Sequence, residues 1–201
     1  MAAHHDDTRF YVTDIVINDY MKLIVERFPS VYAFDTFFYW YNAVKRWTKK
    51  LNIFSKSKLL IPININEMGY KYWVLVCVNV LQKQICYYDS INTRDVYGCS
   101  NKILTYLSYE HSHKLGNPLP IEEWGVQMPG NPKQNNGFHS GAFICMFAYY
   151  LAHDQAFNFT QADMWSFSML MACELTLKKI LTSEEQIKSE LADNSHLKLE
   201  R

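Results

Sequence analysis

From Ser140 to Ala152 the chain reads SGAFICMFAYYLA, which is apolar on nearly every side of a helical wheel. A helix of that kind has no polar face to turn to water, and it is too short to cross a bilayer. It therefore has to sit inside a core, surrounded by other elements. WVLVCVNV (Trp73 to Val80) makes the same demand in strand form, because it is β-branched, apolar and without alternation, and so is buried on both faces. Together they call for one core in which a small sheet packs against helices.

The remaining elements fit that demand. Ile17, Met21, Ile24 and Val25 fall at helical spacing between Val16 and Phe28, and Pro29 ends the segment. A second helical pattern runs from about Tyr39 to Leu51. LLIPINI (Leu59 to Ile65) reads as a strand. QICYYDS (Gln84 to Ser90), after the polar turn Gln82–Lys83, completes a hairpin with the Trp73 strand. A helix over Cys99 to Tyr109, a polar loop, a short strand near Trp124 to Gln127 and a turn-rich loop from Met128 to Gly137 precede the buried helix. A last helix spans about Gln161 to Leu181. Helices, then a sheet, then helices make the class α+β. With no repeat or linker, one domain is expected over residues 13–182, flanked by a flexible N-terminus (1–12) and a charged tail (183–201) in which Ile187 and Leu191 form one apolar stripe.

Composition excludes several functions. Twenty basic residues balance twenty acidic ones, so no nucleic-acid or anionic-membrane surface is expected. No apolar run reaches the ~18 residues of a span and no signal-peptide core opens the chain. An intracellular protein, nuclear or cytoplasmic, is the expectation. Five cysteines without a CxxC pair argue against structural disulfides. His111 and His113 beside Glu110 have ligand-like spacing, but without a partner motif they are read as exposed loop residues. No metal or other cofactor is expected.

Three blocks, LLIPINI, YWVLVCVNVLQKQICYYDS and KQNNGFHSGAF, lie in order at plausible spacings. They resemble the signature blocks of the SUMO/sentrin-specific branch of ubiquitin-like-protein cysteine proteases. TDIVINDYMKLI (Thr13 to Ile24) and NFTQADM (Asn158 to Met164) are similar to that family's opening helix and penultimate helix. The resemblance covers about Thr13 to Leu181 and implies a papain-like α+β fold. It also implies roles. Tyr72 stands at the general-base histidine, Asp89 at the carboxylate that orients it, Gln134 at the oxyanion-hole glutamine and Ser140 at the nucleophilic cysteine. His139 replaces an aspartate. Trp73 keeps one of two tryptophans that hold a Gly-Gly tail, and Val16 takes the place of the other, which would weaken binding of that tail.

The departures remove chemistry. A cysteine beginning a helix is ionised by the dipole and a neighbouring imidazolium, whereas a serine hydroxyl needs a base during attack. A phenol of pKa ~10 is protonated near neutrality and is not that base. Asp89 then has no imidazole to orient and is expected to accept from the Tyr72 hydroxyl. His139, adjacent to Ser140 at a helix start, points elsewhere. Two accounts stand. In one, the chain is a catalytically inactive protease-like module that binds or scaffolds a protein partner, with a ubiquitin-like modifier such as SUMO among the candidates. In the other, it is a cysteine isopeptidase or processing protease for such a modifier, captured with serine in place of its cysteine. With these residues the chain is expected to be inactive, while the activity the resemblance implies is that of a ubiquitin-like-protein-specific thiol protease. An aromatic-rich composition (14 Tyr, 12 Phe) adds the expectation of an exposed apolar contact surface away from Ser140.

Overall fold

Thr13 opens the first helix, its hydroxyl accepting from the Val16 N–H at 3.4 Å, with Asp14 in the first turn where the dipole favours a carboxylate. This helix, α1 (Asp14–Arg27), buries Ile17, Tyr20, Met21 and Ile24 along one face and stops ahead of Pro29. The computed structural model describes residues 11–40, 48–67, 69–91 and 96–182. The expected flexible N-terminus, the tail with Ile187 and Leu191, and most of the helix expected over Tyr39 to Leu51 lie outside those residues.

Five strands follow the order β1 (Val31–Ala33), β2 (Lys58–Glu67), β3 (Tyr70–Asn79), β4 (Gln84–Tyr88) and β5 (Gly125–Gln127) across one sheet. The two central pairings are antiparallel and the two outer ones parallel, which makes the sheet mixed. Lys83 lies at φ 53° in the turn that joins β3 to β4, where the expected hairpin forms. The remaining helices are α2 (Val96–Leu115), α3 (Ser140–Ala152) and α4 (Met164–Leu177), the last preceded by a 3₁₀ turn, Gln161–Asp163.

Strand β3 separates two halves of the core. Leu75 and Cys77 pack with α1, α3 and α4, while Val74, Val76 and Val78 pack with Phe34, Phe38, Ile53 and the α2 residues Ile103 and Leu107. Residues Val74 to Val78 are all buried, so the two-sided strand and the all-apolar α3 satisfy each other's demand. The α+β class expected from the sequence, a small mixed sheet packed against helices, is present. The five cysteines are free thiols.

Helix α2 overruns its expected end by a turn and a half, and this corrects the reading of His111 and His113 as loop residues. Glu110 is the reason. It is buried and accepts from the Thr48 hydroxyl at 2.8 Å, with Lys114 one turn later at 3.5 Å, so the helix has a polar anchor where the sequence shows only polarity. His111 Nδ1 meets the Asn117 carbonyl at 2.8 Å and His113 stacks on Tyr109, and neither joins a group of metal-ligating side chains among the described residues. Along α4, Trp165, Met169 and Leu177 lie four or eight residues apart and are exposed, an apolar strip on a helix whose other face (Met164, Phe167, Met171) is buried.

Candidate functional site

Ser140 is the first residue of α3 and is 4% exposed. Its Oγ accepts from the backbone N–H of Trp73 at 3.1 Å, which ties the helix start to the middle of β3. Gly141, next in line, leaves no room for a side chain. A Cβ there would lie 2.8 Å from Val12 Cβ and 3.0 Å from Val12 O, so the chain ahead of α1 crosses directly over the start of α3.

Tyr72 precedes the Trp73 N–H that holds Ser140. It is 6% exposed and packs on the same side of β3 as Val74 and Val76. In the β3–β4 register Leu75 pairs with Tyr88, the last residue of β4, and Asp89 follows it directly. Asp89 is buried. Its Oδ1 accepts from the Ile91 N–H at 2.7 Å, and its carbonyl accepts from Asn131 Nδ2 at 2.9 Å and Lys133 Nζ at 2.7 Å.

Gln134 is held against the end of β4. Its N–H donates to Ser90 O at 3.0 Å, its Oε1 accepts from Ser90 Oγ at 2.6 Å, and its Nε2 donates to Asn136 O at 2.5 Å. Tyr72, Trp73, Asp89, Gln134 and Ser140 thus gather around one end of β3 and β4, from three separated parts of the sequence.

His139 is engaged beside them. Asn136 Oδ1 accepts the Phe138 and His139 N–H groups, and Gln161 Oε1 accepts the Asn135 N–H. Both carboxamides therefore turn their NH₂ groups to His139 Nδ1, at 2.9 and 2.6 Å. Nδ1 accepts, so the ring's proton sits on Nε2. The ring also lies edge-on to Phe138 at 4.4 Å, which in turn meets Tyr11.

Beside this cluster opens a cleft of ≈520 Å³ lined by Asp14, Phe37, Trp40, Asn64, Lys71 and Trp73, among others. Val16 is not part of it. The expectation that Val16 stands opposite Trp73 is corrected by the helix geometry. Two residues past Asp14, Val16 is turned round α1 into a separate depression with Asp19, Leu23 and Leu175 on the α4 side. The aromatic rings that share the cleft with Trp73 are Phe37 and Trp40, which the sequence reading missed. Their segment FFYWY carries no spacing signal that separates a cleft residue from a core one.

Residues 11–179 match the Ulp1 protease family, C-terminal catalytic domain. Sentrin-specific protease 2 of Mus musculus is 35% identical over 185 residues, which is 85% of this chain and 31% of that protein. A Caenorhabditis elegans sentrin-specific protease is 30% identical over 190 residues, 86% of this chain and 26% of that one. The chain thus spans under a third of the length of these curated relatives. Among solved structures, the C-terminal Ulp1 protease domain in complex with Smt3, the yeast ortholog of SUMO, superposes with a TM-score of 0.73 at 27% identity, covering 84% of this chain and 77% of that one. The SUMO protease Ulp1 with its catalytic cysteine oxidised to a sulfenic acid gives 0.74 at 26% identity, covering 85% and 80%.

Proposed function

The chain belongs to the Ulp1 protease family, and from that membership we propose that it is a protease-fold module that binds SUMO or a related ubiquitin-like modifier without hydrolysing it. The observation that carries the reading is the pair at the start of α3: a serine hydroxyl at residue 140 and a buried phenol, Tyr72, next to the N–H that holds it. A helix N-terminus and an imidazolium can ionise a thiol, but neither brings a serine hydroxyl near neutrality. Serine attack needs a base in hydrogen-bond reach, and a protonated phenol is none. His139 does not replace it, because its acceptor nitrogen is taken by two carboxamides and its other nitrogen carries the proton.

The modifier as partner is supported by the solved relative with bound Smt3 and by the retained cleft beside Trp73. The test is direct. Full-length SUMO titrated calorimetrically should bind, while a SUMO-derived fluorogenic substrate should show no turnover above buffer. Turnover that vanishes in Ser140→Ala would overturn the reading.

A second reading keeps the enzyme: residue 140 is cysteine in a working isopeptidase. Asp89 and Gln134 at the expected end of β4 favour it. It requires a base other than Tyr72. Robust cleavage by Ser140→Cys alone would decide for it.

A further inference from the structure

In the β2–β3 register Asn64 faces Trp73 and Asn66 faces Lys71, and all four side chains line the cleft from one face of the sheet. Asn64 and Asn66 are two residues apart on one strand, ~6.7 Å, which is the repeat of an extended peptide. Along this stretch the Asn64 carbonyl and the Trp73 N–H point away from the β2–β3 ladder and are taken by Trp40 Nε1 and Ser140 Oγ, so a peptide lying across this face of the sheet would meet side-chain carboxamides. Such a floor suits an extended tail with small side chains, laid against aromatic walls.

Trp40 supplies a second aromatic wall beside Trp73. It is 53% exposed yet held from several sides. Its Nε1–H donates to the Asn64 carbonyl at 3.1 Å, and the Tyr39 ring meets it edge-on at 5.0 Å. The Lys102 ammonium, projecting from α2, sits 5.4 Å from the Trp40 ring centre and 4.2 Å from that of Tyr39. The loop beneath is fixed as well, since Asn18 exchanges two hydrogen bonds with Thr36 at 2.9 and 3.0 Å. A half-exposed indole on a loop has several rotamers open to it. A cation facing both rings stabilises the one in which they stand together.

We propose that Lys102 is a positioning residue for the cleft: its ammonium, set against Tyr39 and Trp40, fixes the Trp40 indole as the second aromatic wall beside Trp73. This deepens the binding reading above and rests on it only for the identity of the tail.

The test uses the 201-residue chain with its tryptophans resolved by ¹⁵N and ¹⁹F NMR. Lys102→Met keeps the aliphatic stem and removes the charge. In the absence of ligand it should speed solvent exchange of the Trp40 indole N–H about two- to fivefold, the scale of an exposed cation–π contact. Lys102→Arg should restore the parent rate. Trp40→Ala should move the Trp73 resonance, because the two rings share one cleft. An unchanged Trp40 exchange rate in Lys102→Met overturns the positioning role, and an unmoved Trp73 resonance in Trp40→Ala overturns the shared wall. SUMO titration of the same variants should then show Lys102→Met two- to fivefold weaker and Trp40→Ala weaker still. Failure of the parent to bind SUMO counts against the modifier as partner, while the ligand-free measurements decide the role of Lys102 either way.

Discussion

On the proposed reading the two halves of the site differ in what holds them together. Around Trp73 the recognition half is built from a paired strand floor, a pinned loop and aromatic walls, and its shape follows from backbone register and packing. Around Ser140 the chemical half has the backbone of a thiol protease, yet its polar groups bind one another. Gln134 holds Ser90 and Asn136, His139 takes Asn136 and Gln161, and Ser140 takes the Trp73 N–H. A recognition surface distributed over a scaffold survives single substitutions. A reaction that depends on one thiolate and one imidazole would not, which is why the proposed function is argued at the site and not from the fold.

The sharpest way to break this comparison is to repair the chemistry. Ser140→Cys alone should give no turnover of a fluorogenic SUMO substrate. Ser140→Cys with Tyr72→His should rise above that background on the order of a hundredfold, the lower range for a positioned acid–base partner. Equal rates in the two would mean that Tyr72 is not what silences the site. The scaffold itself can be tested at Gly141. Gly141→Ala puts a methyl 2.8 Å from Val12 Cβ and against the Val12 carbonyl, so the segment ahead of α1 has to move. A loss of about 1–3 kcal/mol in denaturant unfolding is expected, as for other overpacked positions. No loss would mean that the crossing of Val12 over α3 is loose.

Much of this was legible in the sequence for physical reasons. An all-apolar helix and a two-sided strand have one stable arrangement, so α3 could be read with its boundaries and β3 in its buried part, although that strand begins three residues earlier, at Tyr70; two of the three ordered blocks carry Tyr72, Asp89, Gln134 and Ser140. What the sequence could not carry were facts of direction. Val16 and Asp14 are two residues apart, but on a helix that separation turns one toward α4 and the other toward the cleft. Glu110 reads as surface charge, and only its bond to Thr48, on a distant loop, makes it the anchor that extends α2. Trp40 and Lys102 meet across 61 intervening positions without any motif.

The recognition half predicts a smaller effect than the chemical one. Trp73→Ala removes an aromatic wall, and affinity for SUMO should fall about tenfold, ~1.4 kcal/mol, by calorimetry. Val16→Trp should change it little, since residue 16 lies in another depression. A strong gain from Val16→Trp would restore the idea that Val16 lines the tail's path.

The smallest effect expected lies outside the site and asks whether scaffold and recognition are separable. Glu174 on α4 is fully buried. Its Oε2 accepts from Tyr20 OH at 2.9 Å and its Oε1 from the Leu181 N–H at 2.8 Å. Burial pushes its carboxyl up, and the two donors only partly offset that. The folded protein therefore holds this proton more tightly than the unfolded chain. Between the ordinary carboxylate value and the raised folded one, the Glu174 contribution makes stability fall as pH rises, and above the folded value the penalty is constant. Glu174→Gln keeps an oxygen for the Leu181 N–H and turns an NH₂ to the Tyr20 oxygen, so the clasp survives without the charge. Its unfolding free energy should therefore lose that downward component above pH 4 and match or exceed the parent at pH 7, by about 1 kcal/mol or less. SUMO affinity should not change. An unaltered pH profile would remove Glu174 as the titrating group. A loss of affinity would show that the clasp between α1 and α4 reaches the cleft through Asp14, and that recognition depends on the scaffold more closely than the geometry around Trp73 implies.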